Sequence, residues 1–298
     1  MASSLTSPQL VNAADKAIIA ARHSLSTARL FATDFTADAV APGTTLKVPL
    51  FSGTAASFSA ENDYENVDGS VTYASITFNQ HPKSTFEFTD VDFTLVNGSR
   101  FWDNAGAAAG EAVADAIDSA ICGLINKTNI SAEQVLTTAN ISLKTIAALR
   151  ANIETAGAKA KKTILLLNPT NFAALLGCLT ADVYGDKSAI AEGMIPNLLG
   201  FKAVVQANLS TDSGEKLNGA LIPADALAVA GRVVPVLSPN AYEEVGTMTD
   251  EDSGLTLGLR RHGAAKTGSN FLNVEALFGA ALVQPTKCIR IVSASTAG

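Results

Sequence analysis

Three histidines, three cysteines and a few acidic runs are the side chains here that could carry chemistry, and their spacing decides what chemistry is open to them. His23, His81 and His262 stand far apart, and none lies at zinc-ligand spacing from Cys122, Cys178 or Cys288, so no metal site is expected. The cysteines sit in mostly apolar surroundings, which predicts reduced thiols packed in cores and maturation in a reducing cytoplasm. Gly263-Ala264-Ala265-Lys266-Thr267-Gly268 holds the residues of a phosphate loop in the wrong order. Such a loop needs Gly-Lys-Ser/Thr ahead of a helix, and here the glycine follows the lysine, so a turn between strands is expected. No Gly-x-Ser-x-Gly elbow or Gly-x-Gly-x-x-Gly fingerprint occurs. Glu243-Glu244 and Asp250-Glu251-Asp252 read as solvated loop carboxylates. The pattern therefore points to no catalytic, cofactor-binding or metal-binding residue. One constellation stands out: Glu61, Asp63, Glu65 and Asp68 crowd into a stretch, Phe51 to Val71, that has no lysine or arginine.

The elements that would position these groups follow from periodicity. Ser7-Pro8 starts a short helix with Leu10, Ala14, Ala17, Ile18 and Ala21 at helical spacing. After Arg29 the pattern dissolves, so the segment up to about residue 43 reads as an arm rather than a core layer. TTLKVPLFSG and VTYASITF are β-rich runs around the acidic stretch, which ends in an Asp-Gly turn signal. They predict a long hairpin with an acidic tip. In TFEFTDVDFTLV the apolar parity switches near Thr89-Asp90, which predicts a bulge or bend in a third strand. Residues 103–127 give the strongest helical signal, with Asp103 or Asn104 as cap and Glu111, Asp115 and Asp118 off the apolar stripe, on an acidic, solvated or partner-facing side. From 141 to 260 the texture is mixed α/β. SLKTIAALRANIETAG predicts a helix, TILLL a buried strand and Asn168-Pro169 the cap of another helix. LTLGLRRHG and FLNVEALFGAALVQPTKCIRI predict strands that close a sheet.

Composition narrows the classes. The chain of 298 residues is 47% hydrophobic and only 16% charged, against roughly 25% charged residues in ordinary soluble domains. Every apolar run is interrupted before the ~18 to 20 residues needed to cross a bilayer. The first fifteen residues lack a secretory pattern. A net charge of −7 argues against nucleic acid as the main partner.

Several stretches, taken together, carry a family likeness. GTTLKVP and STFEFTDVDF match the outward and return sides of an extended hairpin, and AAAGEAVADAIDSAICGLI a long helix. KKTILLLNPTNFAALLG and AEGMIPNLLGFKAVVQANLS match consecutive strand and helix units, and LNVEALFGAALVQPTKCIRI a closing set of strands. In this order, over about residues 40 to 292, they resemble the major capsid proteins of tailed double-stranded DNA phages with the Hong Kong 97-type fold, in the branch without a cleaved N-terminal scaffold domain.

The resemblance implies an α+β capsid fold. Its parts would be an N-terminal arm over 1–43, an E-loop hairpin with its return strand over 44–96, and a peripheral domain over 97–140 and 261–298 around a spine helix at 103–127. An axial domain would span 141–260. It further implies a shell subunit of pentamers and hexamers, assembled in the host bacterial cytoplasm into a virion capsid. Double-stranded DNA would be enclosed through weak, non-specific contacts, with Arg22 and Arg29 of the N-terminal helix as candidates, and packing of that helix against its own subunit as the blander reading. Portal and decoration proteins are implied partners, and the lack of a long charged prefix implies a separate scaffolding protein. Two isolated strands are marginal in water, so a long hairpin is expected to lie on a neighbouring subunit. Glu61, Asp63, Glu65 and Asp68 would then meet basic residues there: either Arg260, Arg261 and Lys266, or Lys159, Lys161 and Lys162. Some members cross-link the shell through an E-loop lysine. Here only Lys47 and Lys83 flank the hairpin base, so a non-cross-linked shell is expected. An encapsulin-like bacterial nanocompartment and a cytoplasmic α/β enzyme built on 141–260 remain as other readings.

Overall fold

Among the described residues, a backbone-to-backbone contact joins the first helix to the longest one. Helix α1 (Pro8–Ser24) lies along α3 (Gly98–Gly123), and Ala13, Ala14, Ala17 and Ala21 of α1 are fully buried. A Cβ built on Gly106 would sit 2.2 Å from the carbonyl oxygen of Ala13, and one on Gly110 would sit 2.2 Å from that of Ala17. Helix α1 is thus a core layer rather than part of a loose arm, because alanine facing glycine lets the two backbones touch. The computed structural model describes residues 8–25, 27–34, 45–51, 71–95, 98–179, 195–210, 214–232, 234–236, 241–249, 254–264 and 266–295.

Helix α3 departs from its expected bounds at both ends. It starts at Gly98, upstream of Asp103 and Asn104, which lie within it. Phe101 and Trp102 hold the first turns against Phe88, with ring centroids 5.0 and 4.9 Å away. It stops at Gly123 rather than Lys127 because the Asn126 and Asn129 amides donate to the carbonyls of Gly123 and Leu124. Glu111 and Asp115 face outward as expected. Asp118 does not: it is 2% exposed, and its carboxylate accepts the N–H groups of Thr27 and Ala28 at 3.1 Å. It caps the 3-10 turn Ala28–Leu30 and ties the chain leaving α1 to α3.

The parity switch at Thr89-Asp90 marks a real corner, but the element beyond it is helical. Strand β4 (Lys83–Thr89) ends where α2 (Asp90–Leu95) begins. The Thr89 hydroxyl donates to Asp92 at 2.8 Å, and the Asp92 N–H donates back to the Thr89 hydroxyl at 3.2 Å, a reciprocal helix cap. The hydroxyl and backbone N–H of Thr89 hold the Asp92 carboxyl below the usual carboxylate range.

The described strands form four sheets. Among the described residues, strands β2 (Thr45–Phe51) and β3 (Val71–Thr77) pair only with each other. A three-stranded sheet joins β1 (Ala32–Asp34), β10 (Leu227–Arg232) and β14 (Leu277–Leu282). A four-stranded antiparallel sheet runs β11 (Glu244–Thr249), β12 (Thr256–Ala264), β13 (Ser269–Glu275), β4. The largest has the order β5 (Glu133–Val135), β15 (Ile289–Val292), β9 (Leu217–Pro223), β6 (Thr163–Leu167), β8 (Phe201–Val205), β7 (Ile195–Leu198). The final segment therefore does not close one sheet: β13, β14 and β15 enter three different ones. The division drawn at residue 260 falls inside β12, and β5 and β15 belong to the same sheet as β6, β8 and β9.

The six-stranded sheet separates two cores. Ile164 and Leu166 of β6 face the core that contains Ile117 and Ile121 of α3. Leu165 and Leu167 face the core shared with α4 (Leu143–Thr155) and α5 (Pro169–Cys178). This two-sided burial explains why TILLL is an unbroken apolar run. The Asn168 side chain accepts the Asn171 N–H at 2.8 Å and Pro169 opens α5, as its sequence predicts.

Cys122 and Cys288 are buried, and burial pushes both thiols up to about 12. Cys178, expected in a core, is exposed at the end of α5. In the unassembled folded subunit, alkylation with iodoacetamide at pH 8 is expected to stop at one thiol, Cys178, and to reach three only in denaturant. Rapid native labelling of Cys122 or Cys288 by mass spectrometry would refute that packing.

Candidate assembly surface

The two-stranded hairpin is the element whose partners are missing from its own sheet, so its base shows how it leaves the body. Strands β2 and β3 are in register from Thr45 opposite Thr77 to Phe51 opposite Val71. Ile76 is 1% exposed and packs with Ala228 and Ala230 of β10. Behind it β14 comes so close that a Cβ on Gly279 would lie 2.3 Å from the Thr77 carbonyl oxygen. Gln80 and Phe278 then exchange both backbone hydrogen bonds, at 3.1 and 2.9 Å. The base is clamped, whereas Tyr73, further along β3, is 63% exposed. Among the described residues, the contacts of the hairpin with the rest of the chain gather at this base.

Glu61, Asp63, Glu65 and Asp68 lie outside the described residues, so the acidic stretch stands as a sequence feature. The two sets of basic candidates differ sharply. Arg260 is 13% exposed and its Nε lies 2.5 Å from Glu275, with its cation 5.2 Å from the centre of the Tyr242 ring. Arg261 lies 3.4 Å from Glu243 and 4.0 Å from Glu244, and its cation rests 5.2 Å from the Trp102 ring centre. Both arginines are thus engaged by carboxylates of their own subunit. Lys266 is exposed, in the turn between β12 and β13. That turn carries the Thr267 N–H to the Ala264 carbonyl and puts Gly268 at φ +60, so the Gly263 to Gly268 stretch joins two strands and precedes no helix. Lys159, Lys161 and Lys162 are all exposed, around the 3-10 turn Ala160–Lys162.

Sequence reasoning missed the carboxylate that organises this region. Glu275 is 6% exposed and holds both Arg260 and, at 2.9 Å, the His81 ring. His81 sits just before β4, beside the hairpin exit, and Glu275 anchors it from a strand late in the chain. Glu243 is half-exposed, as expected of a solvated carboxylate, and lies 3.4 Å from Arg261, whereas Glu244 stands in β11 rather than in a loop, 4.0 Å from the same arginine. Among the described residues no three His, Cys, Asp or Glu side chains come together in a way that could hold a metal ion. No described helix is long and apolar enough to cross a membrane.

No protein-family model matches the chain, and no curated protein matches it. Solved structures do. The capsid structure of the cyanophage P-SCSP1u aligns with a TM-score of 0.55 at 16% identity, over 89% of this chain and 87% of that one. The asymmetric unit of the bacteriophage PhiM1 mature capsid aligns with a TM-score of 0.54 at 13% identity, over 87% and 85%. The chain has the fold of phage capsid subunits. A virus-like particle from Pyrococcus furiosus shares it, with a TM-score of 0.56 at 13% identity over 94% and 97%. The coverage runs both ways, so the capsid fold accounts for nearly the whole chain rather than for one sheet of it.

Proposed function

We propose that this chain is the major capsid protein of a tailed double-stranded DNA phage, a structural subunit that self-assembles into an icosahedral head. The observation that carries the reading is the match to capsid chains over more than four-fifths of both partners. The hairpin supports it independently: among the described residues β2 and β3 pair with no third strand, and a neighbour would supply the surface such a pair lacks. A low charged fraction suits a subunit much of whose surface becomes interface. On this reading pentamers and hexamers build the shell in the host cytoplasm and a separate scaffolding protein sets its curvature. Portal and decoration proteins complete it, and DNA touches its interior weakly.

Electron microscopy and light scattering of the purified protein test the proposal. Closed shells are expected, containing nucleic acid when isolated from infected cells. A compact monomer or dimer at all concentrations would overturn it, and closed shells that hold only protein cargo would move the reading to a nanocompartment. Boiled particles on a denaturing gel are expected to run as a 30.7 kDa band, because no lysine lies between Phe51 and Val71 to form a cross-link. Ladders of covalent multimers would contradict that part.

A further inference from the structure

A basic patch lies at one end of the six-stranded sheet. Lys159, Lys161 and Lys162 surround the short turn that leads into β6, and Lys202 stands beside them on β8, in register with Ile164. Arg150 reaches the same end from α4. All five side chains are exposed. They are five of the chain's 21 lysines and arginines, so the patch runs against the sign of a molecule whose net charge is −7. A groove of about 450 Å³ opens between α4 and the turn, and small residues, Gly157, Ala158 and Ala160, line it between the charged groups. Nothing stands within 4 Å of where a Gly157 side chain would begin, so the approach to the groove is open. Arg150 is engaged within the subunit, by Glu154 at 3.0 Å and by the Leu199 carbonyl at 3.1 Å. The lysines are not: among the described residues no carboxylate forms an ion pair with any of the four. Asp225 follows Ala224, whose N–H donates to the Lys162 carbonyl at 2.8 Å, and it too makes no ion pair with them.

We infer that this patch binds the phosphate backbone of nucleic acid without reading its sequence. The inference rests on the shell reading above and gives the weak DNA contact of that reading a place in the fold. The N-terminal candidates suit that contact less well, since Arg22 is half-buried with its Nε enclosed and the Arg29 side chain lies outside the described residues. The chemistry of the patch selects its occupant. Ammonium groups on flexible stems act as point charges, which fit the phosphates of any sequence. Reading bases would take aromatic platforms or fixed planar donors. Among the described residues no aromatic ring lines the groove, and its one planar donor, Arg150, is already held by Glu154. An acidic protein segment is the competing occupant, but it would need apolar or hydrogen-bonding pockets to fix its register, and the groove offers small side chains between exposed cations. Phosphate neutralisation releases condensed counterions, so the logarithm of the affinity falls with that of the salt concentration at about −0.9 per phosphate met.

Fluorescence anisotropy of a labelled DNA duplex of mixed sequence, titrated with full-length subunits too dilute to assemble, tests the patch. Binding at low salt is expected, with a salt slope of about −3 to −4, one phosphate for each lysine. The variant Lys159→Gln, Lys161→Gln, Lys162→Gln is expected to bind about tenfold or more weakly at low salt and to lose about 2 to 3 of that slope. A second duplex of equal length and different sequence is expected to bind within about threefold of the first. No binding by the wild type at low salt would overturn the inference, as would a variant with the wild-type slope or a strong preference for one duplex. Tighter binding of polyglutamate than of DNA would also overturn it, assigning the patch to an acidic protein segment. Thermal melts show whether the triple variant folds. If it does not, Lys161→Gln and Lys202→Gln replace it singly, each expected to lower the slope by about 1, and the wild-type slope in both would overturn the inference. Shell formation is read separately: wild-type shells whose subunits bind no duplex sink only this inference, whereas duplex binding by a protein that never forms shells sinks the capsid reading.

Discussion

Gly110→Val is expected to cost about 3 kcal/mol or more of stability and to lift α1 away from α3. The first atom added, Cβ, would already stand 2.2 Å from the Ala17 carbonyl oxygen and 2.7 Å from its carbonyl carbon. Because both atoms belong to backbone, no side chain can rotate to make room, and the helices must separate. Ala13, Ala14, Ala17 and Ala21 would lose their packing together, which places the effect in the upper range for overpacking. Gly106→Val acts on the same seam, so the double variant should be less than additive. Urea unfolding of the unassembled subunit measures the loss, and hydrogen exchange should show α1 opening ahead of α4 and α5. A stability within about 1 kcal/mol of wild type would mean that the helices do not touch through backbone.

A loss of similar size is expected from Arg290→Met, for the opposite reason. Arg290 is 1% exposed on β15, and its guanidinium serves three groups. It donates to the Ile130 carbonyl at 2.8 Å, to Glu133 at 3.1 Å and to Glu215 at 3.4 Å. Glu215 in turn accepts the Lys127 N–H, and Glu133 accepts the Ser295 hydroxyl. Methionine fills a similar volume but leaves two carboxylates facing each other without their cation. Breaking a buried ionic cluster from one side costs about 3–5 kcal/mol. Arg290→Lys should recover only part, since one ammonium cannot span the three directions that the planar fork covers. Adding Glu133→Gln and Glu215→Gln to Arg290→Met should restore stability relative to Arg290→Met alone. If it did not, the loss would belong to packing rather than to stranded charge.

These two sites show where the sequence was legible and where it was not. The hairpin pairing, TILLL and the Asn168 cap could be read because their signals are local: alternation, a buried run, a side chain three residues from its partner. The Gly106 and Gly110 seam left a trace in its four-residue spacing of small residues, but a helix poor in bulk reads equally well as packing beneath a sheet. Asp118 looked solvated because helical periodicity assigns faces only relative to one stripe, and the second stripe is created by Thr27 and Ala28 folding back onto it. Arg290 and Glu275 had no local signature at all. Their partners lie across the chain, and a lone buried ion pair leaves no period to detect. The acidic stretch was legible as composition, whereas the pairing of Arg260 and Arg261 with carboxylates of the same chain was not.

The interleaving of early and late strands bears on how the chain acquires its shape. Strand β1 pairs with β10, β4 with β13, and β5 with β15, so each larger sheet joins a segment from the first half of the chain to one from the second. The β1 and β10 pairing closes a loop of about two hundred residues, and such closures must be made before their contacts repay the lost chain entropy. The β2 and β3 hairpin forms from neighbouring segments, as β7 with β8 and β11 with β12 and β13 also do, and it is the earliest of these in the chain. During synthesis it would be the first sheet available and the last to find cover, leaving its strand edges open while the body is still incomplete. That order favours slow folding for this topology and places a risk of premature association on the hairpin edges, which are exposed first.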